Sequence, residues 1–218
     1  MTDRFTAQRH QLIDVLRERG VHDPDVLHAV DAVPRHLFLP DAVRHRAYED
    51  APVPIGFNQT ASQPSLQAFS IQLLGVGPKD TVLEVGTGSG FQTALLAKVA
   101  DRVFSVERVR ELSVRARAAL DALRISNTVL LVGDGSIGLR KYAPFDVIIV
   151  SAGAPEIPQA LVDQLADGGR MLVPVGTLHA QELVLVRRRG EEIESETVSA
   201  CTFVPLLGRF AWPEEEGA

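Results

Sequence analysis

Cysteine is almost missing from this chain: Cys201 is the one thiol in 218 residues. An intramolecular disulfide is therefore excluded, and a structural zinc site has no thiolate cluster to use. The six histidines, at 10, 22, 28, 36, 45 and 179, show no metal-ligand spacing, so no metal is expected. A basic excess is also lacking. Lys and Arg number 22 against 28 Asp and Glu, a net charge of −6, which is not the overall footprint of a nucleic-acid binder. No apolar run approaches the ~18 residues of a membrane span. The opening MTDRFTAQRHQ has no apolar stretch of a secretory signal. Internal repeats and low-complexity segments are absent. The expectation from these lacks is a cytoplasmic protein without membrane or nucleic-acid partners; a monomer is the separate expectation for its assembly.

What is present is ordinary globular material, 45% hydrophobic and 23% charged, enough for a sizeable core. Residues 1–50 read as helical. Leu12, Ile13, Val15 and Leu16 sit at helical spacing, and Gly20 ends that stretch. Asp23 as N-cap and Pro24 at the first helical position signal a second helix. Its apolar face is Val26, Leu27, Val30 and Val33, and Pro34 stops it. Residues 51–64, rich in proline and small polar groups, read as a structured loop, and helical spacing returns over 65–74. From Thr81 a βα alternation begins. Strands are predicted at 81–85, 102–107, 128–132, 145–150 and 170–175, with helices at 90–99, 109–123 and 158–165. Near-continuous Val, Ile and Leu runs separated by helices imply an α/β fold, a mostly parallel, doubly wound sheet covered on both faces. Strands at 182–188 and 193–206 then follow without helices, an antiparallel C-terminal extension. One unit over 1–218 is expected: a helical N-terminal segment and loop to 75, a βα core over 76–180, C-terminal strands over 181–210, and a frayed tail over 211–218.

The chemistry concentrates at Leu83-Glu84-Val85-Gly86-Thr87-Gly88-Ser89-Gly90-Phe91. A strand runs into a glycine-rich turn that opens a helix. Glycine lets backbone approach a ligand, and the helix start offers unpaired N–H groups. The spacing is G-x-G-x-G, not the G-x-G-x-x-G of dinucleotide folds, and no G-K-[ST] follows, so a P-loop is excluded. Glu107 ends the next strand, where an acid can accept from ribose hydroxyls. Asp134, in Gly133-Asp134-Gly135, follows the third. Glu84, Glu107 and Asp134 thus lie at the carboxyl ends of successive strands, where open α/β sheets bind ligands. With few cations near the loop, the set suits an adenosine ligand lacking phosphates, such as S-adenosylmethionine.

The acceptor is less direct. Val150-Ser151-Ala152-Gly153-Ala154-Pro155 lacks the Asn/Asp-Pro-Pro-aromatic segment of enzymes that methylate base amino groups, and holds no His or Lys. A carboxylate has an ordinary pKa near 4 and needs positioning, not deprotonation. A site without an evident base therefore leans towards carboxyl methylation. Asn58, Gln59, Thr60, Ser62 and Gln63 are positioning candidates. Ser62 has two readings here: a substrate-orienting hydroxyl, or the N-cap of the helix that Pro64 opens. His36 and His45 read as structural, and Cys201 as a buried bystander.

These residues carry a family resemblance. Ala47-Tyr48-Glu49-Asp50, Pro54-Ile55-Gly56, Gln59-Thr60-Ala61-Ser62-Gln63-Pro64 and Leu83 to Gly90 resemble the protein L-isoaspartate (D-aspartate) O-methyltransferases. So do Gly133-Asp134-Gly135, Ala143-Pro144-Phe145-Asp146, Gly168-Gly169-Arg170, Pro174-Val175-Gly176 and Phe203-Val204-Pro205-Leu206. The resemblance implies a Rossmann-like, class I S-adenosylmethionine-dependent methyltransferase that leaves S-adenosylhomocysteine and uses no metal. Its reaction would esterify the α-carboxyl of L-isoaspartyl residues in damaged proteins or peptides, starting repair through a succinimide. The implied catalytic residue is Ser62. Implied donor positions are Glu84, Gly86, Thr87, Gly88, Ser89, Gly90, Gln92, Glu107, Arg108, Asp134 and Gly135. Implied substrate positions are Ile55, Asn58, Gln59, Thr60, Ser62 and Gln181. Asn58 and Ala61 depart from a usual glycine and isoleucine, and Phe91 from a frequent tyrosine. Two alternatives stay open: methylation of a normal aspartate in a dedicated partner to form an aspartimide, and an adenosine-ligand binding module without catalysis. Relatives with a dedicated partner often carry an added C-terminal region, so repair is the first expectation.

Overall fold

The computed structural model describes residues 4–213. Helix α1 spans Arg4–Glu18 and α2 spans Pro24–Ala32. Asp23 caps α2 as its sequence implies, its Oδ1 accepting from the N–H of Asp25 at 2.9 Å and Val26 at 3.2 Å. Two 3-10 turns, Arg35–Phe38 and Asp41–Arg46, lead to strand β1, Val53–Gly56.

The 51–64 segment corrects its sequence reading, because most of it is a hairpin. β1 pairs antiparallel with β2, Gln59–Ala61, matching Val53 with Ala61 and Pro54 with Thr60. Phe57 and Asn58 form the two-residue turn, each at φ 56. Such turns need positive φ at both central residues, and asparagine tolerates it where the family resemblance expects glycine. Pro54 is allowed because its strand is short and its side chain exposed.

Helix α3, Pro64–Leu73, precedes the main sheet. Strands β3 (Thr81–Val85), β4 (Arg102–Glu107), β5 (Thr128–Val132) and β6 (Phe145–Val150) fall where the apolar runs place them, with α4 (Phe91–Val99) and α5 (Arg110–Ala122) between the first three. The seven-stranded order is β5-β4-β3-β6-β7-β8-β9, with β7 at Leu165–Gly176, β8 at Gln181–Arg189 and β9 at Glu192–Cys201. The first five strands are parallel, and β7-β8-β9 are antiparallel.

Strand alternation divides the core. Val82, Val103, Val147 and Ile149 pack with Leu12, Val26, Ile71, Leu95 and Leu120 of α1–α5. Leu83, Val85, Phe104, Val106, Ile148 and Val150 face the other way, onto Leu161, Val162 and the C-terminal Leu206. Helix α6 is only Gln159–Val162, shorter than expected, because the chain already joins β7 at Leu165. The strand expected over 193–206 ends at Cys201. The chain then crosses back to Gly153, bridging it at Pro205. Cys201 is half-buried rather than buried, and burial with the nearby Glu182 charge pushes its thiol up to about 11. The expected fraying does not include Trp212, whose Nε1 donates to the Gly153 carbonyl at 3.1 Å. Positions 214–218 of that tail lie outside the described residues.

Candidate active site

A cleft of about 740 Å³, open mouth included, lies at the carboxyl ends of β3, β4 and β6. Gly86, Thr87, Gly88 and Ser89 form one wall, and Glu107, Arg108 and Gly135 another. The chain turns sharply here. Gly86, Gly88 and Gly90 have φ of 93, 54 and 87°, values that side-chain-bearing residues rarely adopt. Gly90 opens α4 and does not line the cleft. A Cβ there would sit 2.7 Å from that of Ala116, so its glycine serves packing. Glu107 is 6% exposed. Its carboxylate accepts from the Gly88 N–H at 2.8 Å and the Val109 N–H at 2.9 Å, tying the glycine loop to the end of β4.

Glu84 lies away from the cleft lining. It is fully buried. In β3 its neighbour Val85 faces the cleft, so Glu84 must point to the opposite, helical face. There it lies beside its cross-strand partner Ser105. Its Oε2 accepts from Ser105 Oγ at 2.6 Å and Thr93 Oγ1 at 2.5 Å, and Oε1 accepts from Gln92 Nε2 at 3.2 Å. Thr87 Oγ1 lies 2.5 Å from Ser105 Oγ, joining the loop to this network. Burial outweighs these bonds and pushes the Glu84 carboxyl up to about 7, with Glu107 adding to the rise. The folded protein then holds a proton that the unfolded chain releases near its ordinary pKa of 4.5. Stability from this group is complete below pH 4.5 and is lost as pH rises to about 7. The loss is on the order of 3 kcal/mol. Glu84→Gln should flatten this decline in denaturant melts taken from pH 4.5 to 7. An unchanged slope would contradict the assignment.

Four further expected contacts lie elsewhere. The Asp134 carboxylate does not line the cleft, because it is engaged internally. Oδ1 accepts from Ser136 N–H at 2.8 Å and Ser136 Oγ at 2.7 Å, and Oδ2 from the Arg209 N–H at 2.8 Å. Asn58 stands exposed in the hairpin turn and does not line the cleft. Ile55 is 2% exposed and borders a neighbouring groove with Gly88 and Leu112. Gln181 sits behind the cleft, where Oε1 accepts from the Phe203 N–H at 2.8 Å and Nε2 donates to the Thr177 and Phe203 carbonyls. Gln181 and Asp134 thereby hold a segment that sequence reasoning gave no role. Val204, Pro205, Leu206 and Leu207 close one side of the cleft. Its trace in the sequence was the Phe203–Leu206 motif.

The acceptor end is built by the hairpin and α3. Gln59, Thr60 and Ser62 line it. So do Gln67 and Ser151, which sequence reasoning did not single out, and Gln92 from the donor side. The N-cap reading of Ser62 is overturned. Gln63 occupies that position and no side chain caps it. Asp50 substitutes from a distance, its Oδ1 accepting from the Ser65 N–H at 2.9 Å. Ser62 is instead held through its carbonyl, which accepts from Arg35 Nη2 at 2.9 Å, while Arg35 Nη1 donates to the Ala47 carbonyl at 2.8 Å. Arg35 is 0% exposed, and its guanidinium lies 5.5 Å from the Phe91 ring centroid. Phe91 is itself buried, 5.9 Å from the Phe38 ring centroid.

Among the described lining residues the ionisable ones are Glu107 and Arg108. A glycine cradle, one carboxylate and one rim cation fit a phosphate-free nucleoside. The neutral hydroxyls and amides at the other end fit a small anion. The family model for protein-L-isoaspartate(D-aspartate) O-methyltransferase matches residues 7–211. A Syntrophus aciditrophicus protein-L-isoaspartate O-methyltransferase is 47% identical over 216 residues, covering 97% of this chain and 99% of the relative. One from Pseudomonas fluorescens is 49% identical over 208 residues, covering 95% and 98%. A solved Plasmodium falciparum structure described as an isoaspartate O-methyltransferase in complex with S-adenosyl-L-homocysteine superposes with a TM-score of 0.79 at 27% identity, covering 90% of this chain and 97% of that one. Matched nearly end to end, with the hairpin, the glycine loop and the C-terminal segment all inside the matched span, this chain belongs to the protein-L-isoaspartate(D-aspartate) O-methyltransferase family.

Proposed function

We propose that this protein transfers a methyl group from S-adenosylmethionine to the α-carboxyl of L-isoaspartyl residues in damaged proteins or peptides. One observation carries the reading. The glycine loop shares a cleft with Ser62, Thr60 and Ser151, neutral hydroxyls with no ionisable base among them. An isoaspartyl carboxylate is ionised at neutral pH, so orientation is what the site must provide. When bound, S-adenosylmethionine supplies an electrophilic sulfonium methyl, and the sulfur leaves as a neutral thioether when a carboxylate oxygen takes that methyl. Glu107 and the Gly86–Ser89 backbone hold the nucleoside end. Arg108 stands at the rim. Gln92 Nε2 donates to Ser151 Oγ at 2.9 Å, leaving the serine proton to point at an acceptor. Ser62 Oγ, without a partner among the described residues, offers a second. A backbone nitrogen then attacks the ester carbonyl, the C–O bond breaks and methanol departs with the amide proton, and the resulting succinimide hydrolyses in part to normal aspartate. We place this activity in a cytoplasmic monomer. The net charge of −6 favours protein substrates over nucleic acid.

Product chemistry tests the reaction. A purified isoaspartyl peptide incubated with donor should pass through a methyl ester and a succinimide to an aspartyl peptide, resolved by chromatography. Persistence of the starting peptide would reject the reading. Ser62→Ala tests the acceptor end. Its side chain caps nothing, so the melting temperature and donor affinity should hold while turnover falls about tenfold, the scale of one hydrogen bond to a charged group. Full turnover in the variant would remove Ser62 from catalysis.

A further inference from the structure

Gln67, in the first turns of α3, lies in the cleft wall beside Ser62 and is 7% exposed. Its Oε1 is buried with no hydrogen-bond partner among the described residues. A buried acceptor left unmade is costly, so such an atom in a cleft wall points to a donor brought by a ligand. The same side chain, with Ser62, Gln92 and Ser151 that the cleft also uses, lines a small second cavity of about 240 Å³ whose remaining wall is mostly apolar. The hydroxyls there give protons, whereas Gln67 Oε1 takes one.

An L-isoaspartyl residue presents both needs on one carbon. Its α-carboxylate and its peptide N–H are attached to the same atom. In a normal aspartyl residue the side-chain carboxylate stands one carbon further from that N–H. We infer that Gln67 Oε1 accepts the substrate's peptide N–H while Ser62 faces its carboxylate, so that the two residues gauge this separation and set the preference for isoaspartyl over aspartyl chains. The inference rests on the methyl-transfer reading above and names its specificity determinant. Sites built around a hydrogen bond reject analogues that cannot make it, because the site's own polar group is then stranded.

The test is a cycle of one variant against one altered peptide. Gln67→Met keeps length and volume and removes the acceptor. The peptide analogue replaces the N–H next to the isoaspartyl carbon by an ester oxygen. Wild-type enzyme should lose about tenfold in kcat/KM on the ester analogue. Gln67→Met should lose about tenfold on the ordinary isoaspartyl peptide and nothing further on the ester analogue. Its isoaspartyl-over-aspartyl ratio should fall by the same factor, with donor affinity by calorimetry changed less than about twofold. Equal losses by the variant on both peptides would overturn the inference, because a merely structural role predicts that result. A weakened donor affinity would also overturn it, by placing the partner of Gln67 on the donor. Wild-type enzyme that methylates no isoaspartyl peptide would instead reject the reaction itself, an outcome readily told apart from a flat cycle.

Discussion

Gly88→Val is expected to reduce affinity for S-adenosylhomocysteine at least about a hundredfold by calorimetry, a sum of backbone strain and filled space. Gly88 has φ 54, in the left-handed region where a β-branched residue is a genuine outlier. Its N–H is also the donor that fastens the loop to Glu107 at 2.8 Å. A shift of the backbone to relieve the strain would break that bond. An ideal Cβ would stand 3.6 Å from Ile55 Cδ1, an ordinary contact, so a first methyl fits and the branches do the crowding. Gly88→Ala is therefore the informative companion, carrying the strain of positive φ without the bulk. Its affinity should fall between wild type and valine. Equal affinity in all three proteins would mean that the nucleoside binds away from this loop.

Arg35→Ala should have the largest effect on the fold. The guanidinium is fully buried, and Nη1 and Nη2 donate to the carbonyls of Ala47 and Ser62, which stand on different segments, while Nε has no partner among the described residues. Burial lowers its pKa to about 10, with Asp50, Tyr48 and Glu49 opposing the drop, so it remains charged at neutral pH. Removing it strands two carbonyls, takes away one of the two cations near Asp50, which Arg19 still faces at 3.8 Å, and leaves a cavity. Each stranded group costs about 1–3 kcal/mol, and losing one member of a buried charged set costs about 3–5 kcal/mol. A stability loss on the order of 4 kcal/mol in denaturant melts is expected. Turnover per folded molecule should fall as well, because the backbone of Ser62 loses its anchor. Arg35→Lys keeps the charge but cannot serve two carbonyls from a planar fork. It should recover part of the stability and little of the turnover. Wild-type melts and turnover for Arg35→Ala would contradict the role of this residue as the anchor of the acceptor end.

Both predictions turn on residues whose importance differs in legibility. The glycine loop and strands β3 to β6 could be read directly, because Val, Ile and Leu runs bounded by glycine leave few alternatives. Arg35 could not. A buried arginine is rare, and nothing beside it in sequence names the carbonyls of Ala47 and Ser62 as its partners. The 53–61 hairpin was hidden because Pro52 and Pro54 mask strands of only three or four residues. Glu84 and Asp134 look like ligand acids at strand ends. The two-residue period of β3 turns Glu84 away from the cleft, and the returning C-terminal chain claims Asp134. Gln67 and Ser151 carry no local signal, since their place depends on α3 and β6 meeting across a cleft. The resemblance implies a family role for Ser62, and the structure removes the competing helix-cap reading, because capping is a matter of where one side chain points.

The central claim is that the acceptor is an isoaspartyl carboxylate. Its most direct measurement offers labelled methyl donor and equal amounts of two peptides that differ only in an isoaspartyl or an aspartyl linkage at one position. Label is expected in the isoaspartyl peptide and background in its twin, with the label lost again as the ester closes to the succinimide. Equal or preferred labelling of the aspartyl peptide would contradict it and point to an aspartimide-forming enzyme.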